Sequence, residues 1–167
     1  MFSVRKAAVS NFKKLVEAFG AAWGDSVLYP RVLGLAREGS HTLRLTVLLA
    51  ATELAPTAGP DALARHFIPV VCALRNDNVA NIRLPRDGGG DGVCQTHTDF
   101  GDSFNVAKTL EVIAPLLPPA LLTRDVRPVL QKLASDDDKD CRFFAERALA
   151  GTDVSFHLFV KTDLVDY

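Results

Sequence analysis

Three series of residues recur along this chain with the same two gaps. Arginines stand at Arg44, Arg83 and Arg142, separated by 39 and 59 residues, and Arg5 stands 39 before the first of them. Prolines at Pro30, Pro69 and Pro128 repeat the 39 and the 59. Glu38, Asp77 and Asp136 each precede one of the last three arginines by six positions. Removing the 20 residues Leu84–Ser103 restores one period of 39 in every series. A chain bound to one period must fold as like units, each using its neighbours to cover the face it cannot bury alone.

The period is helical in content. In the first unit apolar residues fall at Val4, Ala7, Ala8, Phe12, Leu15, Val16 and Phe19, the stripe of an amphipathic helix. Gly20 ends it. No alternation of period two competes with these stripes. A period near 40 made of two helices is the range of HEAT and armadillo repeats. The expected fold class is therefore all-α, an α-α superhelix or solenoid of HEAT repeats, about three and a half of them. A lone second helix occupies about 2–19, followed by helix pairs at about 25–36 with 40–55, 61–74 with 104–117, and 121–134 with 139–150. The array fills 1–150, with an insertion at 84–103 and a divergent tail at 151–167. Pro30, Pro69 and Pro128 lie inside first helices, where each removes a backbone hydrogen bond and bends the helix. Pro60 and the Pro118–Pro119 pair lie near helix starts, where proline is tolerated. Trp23 falls in an inter-repeat turn as a packing anchor.

Bulk properties exclude several classes. Hydrophobic residues make up 48% and charged residues 23%, a folded composition. A net charge of −1 favours neither nucleic acid nor an anionic membrane as partner. No apolar run reaches the roughly 20 residues of a membrane span. Cys72, Cys94 and Cys141 are too few and too uneven for a disulfide framework, which points to a reducing compartment, the cytoplasm and by extension the nucleus.

Four longer words carry a resemblance: VRKAAVSNFKKLVEAFGAAWGDSVLYPRVLGLA, RHFIPVVCALRNDNVANIR, FNVAKTLEVIAPLL and VRPVLQKLASDDDKDCRFFAERAL. In order and spacing they resemble the C-terminal HEAT repeats of the scaffold (A) regulatory subunit of protein phosphatase 2A, over about residues 2–83 and 104–149. In that family the second word runs straight into the third, so residues 84–103 stand as an insertion. The resemblance implies a non-catalytic scaffold, without cofactor or metal, whose loops between paired helices hold the phosphatase catalytic subunit. It implies that a regulatory subunit becomes a partner only if earlier repeats are supplied. On this sequence the loops are 37–43, 75–82 and 135–141. The implied partner-binding residues are Glu38, Ser40, His41, Asn78, Val79, Asp138 and Lys139. His41 departs from the aromatic residue of the family pattern. Arg44, Asp77, Arg83, Asp136 and Arg142 suit a structural ladder between adjacent repeats, because evenly repeated charges fit stacking better than one-off recognition. Other HEAT-repeat adaptors, and a truncated scaffold fragment without binding activity, are the alternatives.

The insertion LPRDGGGDGVCQTHTDFGDS is rich in glycine and poor in apolar residues, an excursion that lengthens the partner-facing loop. It either modifies the contact or has no role. GGGDG lacks the Gly-Lys-Ser/Thr of a phosphate loop. Cys94, His97 and Asp99 have ligand-like spacing but no second pair to complete a zinc site. Asp136, Asp137, Asp138 and Asp140 lack the glycine and distal glutamate of a calcium loop and suit a helix N-terminus. Cys72 and Cys141 read as small buried hydrophobes. His66 and His157 have no recognisable catalytic partner. Phe156, Leu158, Phe159 and Val160 in the tail are expected to cap one end of the stack. The uncovered apolar face of the first helix, at the other end, is expected to support self-association.

Overall fold

The computed structural model describes residues 2–77, 79, 82, 106–136 and 139–162. Asn78, Arg83, Asp138 and the insertion 84–103, with Cys94, His97 and Asp99, lie outside the described residues, as does 163–167. The expected capping side chains Phe156, Leu158, Phe159 and Val160 also lie outside what is described, which from residue 153 is the backbone helix alone. Every regular element among the described residues is helical.

Helix α1 is Phe2–Phe19. It stops at Gly20, whose φ of 90° is open to glycine and strained for other residues. Helix α2 starts at once with Ala21–Trp23, widens into a π-turn at Gly24–Leu28, continues as Tyr29–Gly34 and closes in a 3₁₀ turn at Leu35–Arg37. Trp23 thus belongs to the first turn of α2 and not to a loop; its ring lies 5.0 Å from that of Phe19 across the Gly20 corner. Helix α3 begins at His41 and ends at a second glycine corner, Gly59, with φ 74°. Helix α4 begins at Pro60, passes through a π-turn at Leu63–Phe67 and Ile68–Ala73, and closes at Leu74–Asn76. Helix α5 is Val106–Ile113 with a closing turn at Ala114–Leu116. Helix α6 follows from Pro119–Leu121 through a π-turn at Leu122–Val126 to Arg127–Leu133. Helix α7 is Lys139–Thr162. Its continuation past residue 150 extends the last helix beyond the boundary that sequence pattern places there, since Gly151 takes no corner conformation and is helical.

The repeat frame acquires physical content at two places. Corners fall at Gly20, Gly59 and Pro118, once more 39 and 59 apart; the third uses extended proline, φ −58° and ψ 143°, in place of left-handed glycine. The prolines do more than bend their helices. Each sits two residues after a π-turn, and the residue before it donates its N–H five positions back: Tyr29 to Gly24, Ile68 to Leu63, Arg127 to Leu122. A proline ring clashes with the carbonyl four residues earlier in an α-helix. One extra residue in the turn relieves that clash without breaking the helix.

Second helices α1, α3, α5 and α7 form one layer, each packed on the next, and α2, α4 and α6 form the other. Val47, Leu48, Leu49, Ala50 and Ala51 are five consecutive fully buried residues, so α3 is covered on every side. Among the described residues, α1 has a neighbour in its own layer on one side only, α3. Its Phe19 is 63% exposed, whereas the equivalent Ala58 in α3, a helix packed on both α1 and α5, is 8% exposed. Val4 and Leu15 are exposed on the same helix.

The first unit carries a local exchange. Leu63 and Leu122 fill the buried start of the second and third π-turns; the first has Gly24 there. The space goes to the buried ring of Tyr29, which stacks edge-on against Phe67 at 5.1 Å. A Cβ on Gly24 would come within 2.9 Å of that ring. Gly24→Leu should therefore destabilise the fold by about 2 kcal/mol through overpacking. Combining it with Tyr29→Ile, the residue type of the next unit, should recover most of that loss. Urea denaturation of the two single variants and the double variant reads the coupling.

Candidate partner-binding loops

Each loop between paired helices opens the same way. The first helix tightens into its last turn, and the acidic residue of the series closes it: the N–H of Glu38 donates to Leu35, that of Asp77 to Leu74 and that of Asp136 to Leu133, all at 3.1–3.2 Å. At Glu38 and Asp77 the chain then turns extended, with ψ near 146° and 140°. Six residues on, Arg44 and Arg142 each return to the same corner. The Arg44 Nη1 donates to the Glu38 and Gly39 carbonyls at 2.9 and 3.0 Å, and the Arg142 Nη1 donates to the Asp136 carbonyl at 2.8 Å. The six-residue spacing is thus the span of a loop whose orphan helix-end carbonyls are satisfied by a guanidinium.

Arg44 has a second role. Its Nε lies 2.5 Å from the Asp77 Oδ2 and its Nη2 donates to Oδ1 at 3.1 Å, a two-pronged pair linking one repeat to the next. The two side chains are only 14% and 6% exposed. Asp77 Oδ1 also accepts the N–H of Val79 at 2.8 Å, so the same carboxylate fixes the start of the following loop. One guanidinium and one carboxylate therefore set the shape of two adjacent loops.

Ser40 heads α3, and its carbonyl accepts the N–H groups of Leu43 and Arg44. Glu38, Ser40 and His41 are exposed together on the first loop, and Val79 is half-buried on the second. Lys139 is exposed at the start of α7 on the third. Asn78 and Asp138 lie outside the described residues, and so does Arg83 of the ladder series.

Sequence reasoning missed a cluster on the first-helix layer. Asp25 accepts from Arg65 at 2.7 Å and lies 3.0 Å from the His66 Nε2, so His66 does have a carboxylate partner. The signal was the repeat frame: a period of 39 sets Asp25 beside Ala64, one position from Arg65. The next junction differs. Asp125 replaces His66 and pairs with its own neighbour Arg124 at 2.8 Å; that hydrogen bond holds the Asp125 carboxyl below the usual carboxylate range. Cys141 is buried, while Cys72 is half-buried with its sulfur 3.9 Å from the Asp125 carbonyl. Burial pushes the Cys72 thiol up to about 11, the reverse of an activated nucleophile. No group of three metal-ligating side chains occurs among the described residues, and no helix among them is long and apolar enough to cross a membrane.

No protein-family model matches the chain. Individual proteins do. The chain is 32% identical over 146 residues to the PP2A regulatory (A) subunit of Saccharomyces cerevisiae, a match covering 83% of this chain. It is a protein phosphatase 2A scaffold-subunit-like protein. The beta isoform of the human 65 kDa regulatory (A) subunit of serine/threonine-protein phosphatase 2A is 49% identical over 47 residues, 28% of this chain. The corresponding regulatory (A) subunit of Schizosaccharomyces pombe is 29% identical over 90 residues, 54% of this chain. The chain spans 20% of the length of the budding-yeast relative, 8% of the human one and 12% of the fission-yeast one.

Two outcomes follow from this geometry. Asp77→Ala leaves a largely buried guanidinium without its carboxylate and should destabilise the protein by about 3 kcal/mol in urea unfolding, with faster amide exchange at Val79. At pH 8, iodoacetamide should alkylate Cys72 in the native protein about a hundredfold more slowly than a thiol of pKa 9, because the shift from 9.0 to about 11 removes that factor of thiolate. Unfolding in urea should abolish the protection, and peptide-level mass spectrometry reads it.

Proposed function

We propose that this protein is a non-catalytic scaffold segment whose row of inter-helix loops holds the protein phosphatase 2A catalytic subunit. The observation that supports it best is the repeated loop construction. The first and third loops are each braced from within by an arginine, Arg44 or Arg142, on carbonyls of the loop itself, and Glu38, Ser40, His41 and Lys139 stand exposed on those two loops. Binding residues held on a stiff frame lose little entropy on association. The likeness to phosphatase 2A regulatory subunits supplies the partner class. A regulatory subunit would join only if further repeats preceded α1. The protein would do no chemistry itself.

The test is binding of the purified chain to the phosphatase 2A catalytic subunit, with a version lacking residues 84–103 beside it. Saturable binding by both supports the scaffold role with the insertion tolerated. Binding by the shortened version alone makes the insertion a block. Absence of binding by both, with helical circular dichroism retained, rejects the role. Within a binding chain, His41→Ala and Lys139→Glu should each weaken affinity by about three- to tenfold, as for contacts at the edge of an interface. Gly151→Ala, on the last helix and away from the loops, should not change it.

A further inference from the structure

We infer that the groove between the first helices α2 and α4 is a second docking site, one that takes a short acidic segment of a partner protein carrying apolar side chains. The site adjoins the loop edge at Arg37, lies otherwise on the first-helix layer and does not depend on the scaffold role. A cavity of about 630 Å³ opens along these two helices. Its floor is apolar, formed by Pro30, Leu33, Pro69, Val70 and Leu74. It stays open because small residues line it: Gly34 and Ala36 on one wall, Ala73 on the other. A Cβ built on Gly34 meets nothing within 4 Å.

Charge selects the occupant. Three of the lining residues, Arg37, Arg65 and His66, carry or can take positive charge, and none is acidic. Asp25 faces Arg65 and His66 from α2 at 2.7 and 3.0 Å, and it leaves the Arg65 side chain 61% exposed and able to accept a second carboxylate. Arg37 stands exposed at the opposite end, where α2 closes. An apolar floor with cationic groups at both ends matches a peptide whose apolar residues are flanked by carboxylates. The next junction carries different residues at these positions. There the frame puts Lys132 in the place of Ala73 and Asp125 in the place of His66, replacing a small wall by a long side chain and a basic group by an acid. The residue set that lines this groove is therefore not repeated at the next junction.

The experiment uses the full chain and a short fluorescein-labelled peptide alternating glutamate with leucine and phenylalanine, read by fluorescence polarisation. Its control has lysine in place of every glutamate. Two variants block the groove: Gly34→Leu, which fills open space in a helical backbone, and Ala73→Lys, which copies the next junction. A third, Arg37→Glu, reverses one charge. Saturable binding of the acidic peptide that both blocking variants lower at least about tenfold, with unchanged thermal melting, supports the site. Arg37→Glu should weaken the peptide by a similar factor and lessen the salt dependence. Equal binding of the lysine peptide, or affinity unchanged in the blocking variants, overturns it. So does the absence of saturable binding up to about 1 mM. Displacement of the peptide by phosphatidylserine vesicles would assign the groove to anionic lipid and also overturn the peptide reading.

Discussion

A helix buried all round is the constraint on which this structure rests. Val47 to Ala51 of α3 are covered on every side, which no single helix pair can achieve. α1 must lie on one flank, α5 on the other and the first helices on a third. Stability in such an array is shared across junctions, because each unit leaves a face that only a neighbour can remove from water. Thr52 meets Thr109 across one of these junctions, and Glu111 meets Arg147 across the next. The exposed Phe19 on α1 shows the same rule from the other side: the equivalent position in α3, a helix packed on both α1 and α5, is buried.

Stacking also governs the loops. Arg44 reaches its own loop carbonyls and the carboxylate of the following repeat at once, so loop shape and repeat spacing cannot vary separately. The pair carries further hydrogen bonds, from Arg44 to the Glu38 and Gly39 carbonyls and from the Val79 N–H to Asp77, and removing one partner would leave a largely buried charge unpaired. The loop that carries Ser40 and His41 is thus held from behind at the Glu38 and Gly39 carbonyls. The interaction that joins repeats is the one that prepares their surface.

The first-helix layer follows a looser rule. Its prolines impose π-turns at the same register in all three units, and this fixes the backbone while leaving the outer side chains free to differ. Gly24 with Tyr29, and the cluster of Asp25, Arg65 and His66, occur once each among the described residues. Individuality between repeats collects where packing demands least, and the open groove beside Gly34 lies there.

The repeat period, the all-helical class, the insertion that interrupts the frame and the corners at Gly20 and Pro118 were legible in the sequence, because periodic residues report the constraint that every unit shares. The six-residue spacing of acid and arginine was equally visible. It suggested a ladder between repeats, and the Arg44–Asp77 pair, 33 residues apart, is one rung of it; the contacts of Arg44 and Arg142 with carbonyls of their own loops came only from the tertiary structure. The π-turns were hidden because a proline signals a lost hydrogen bond without saying whether the helix kinks or widens. The extension of α7 to Thr162 was hidden because the frame ends where the resemblance does. Sequence by itself determined what is repeated, since periodicity is a property of the chain. The tertiary structure decided what is unique to one junction, since a groove or an ion pair between two units depends on which side chains their stacking brings face to face.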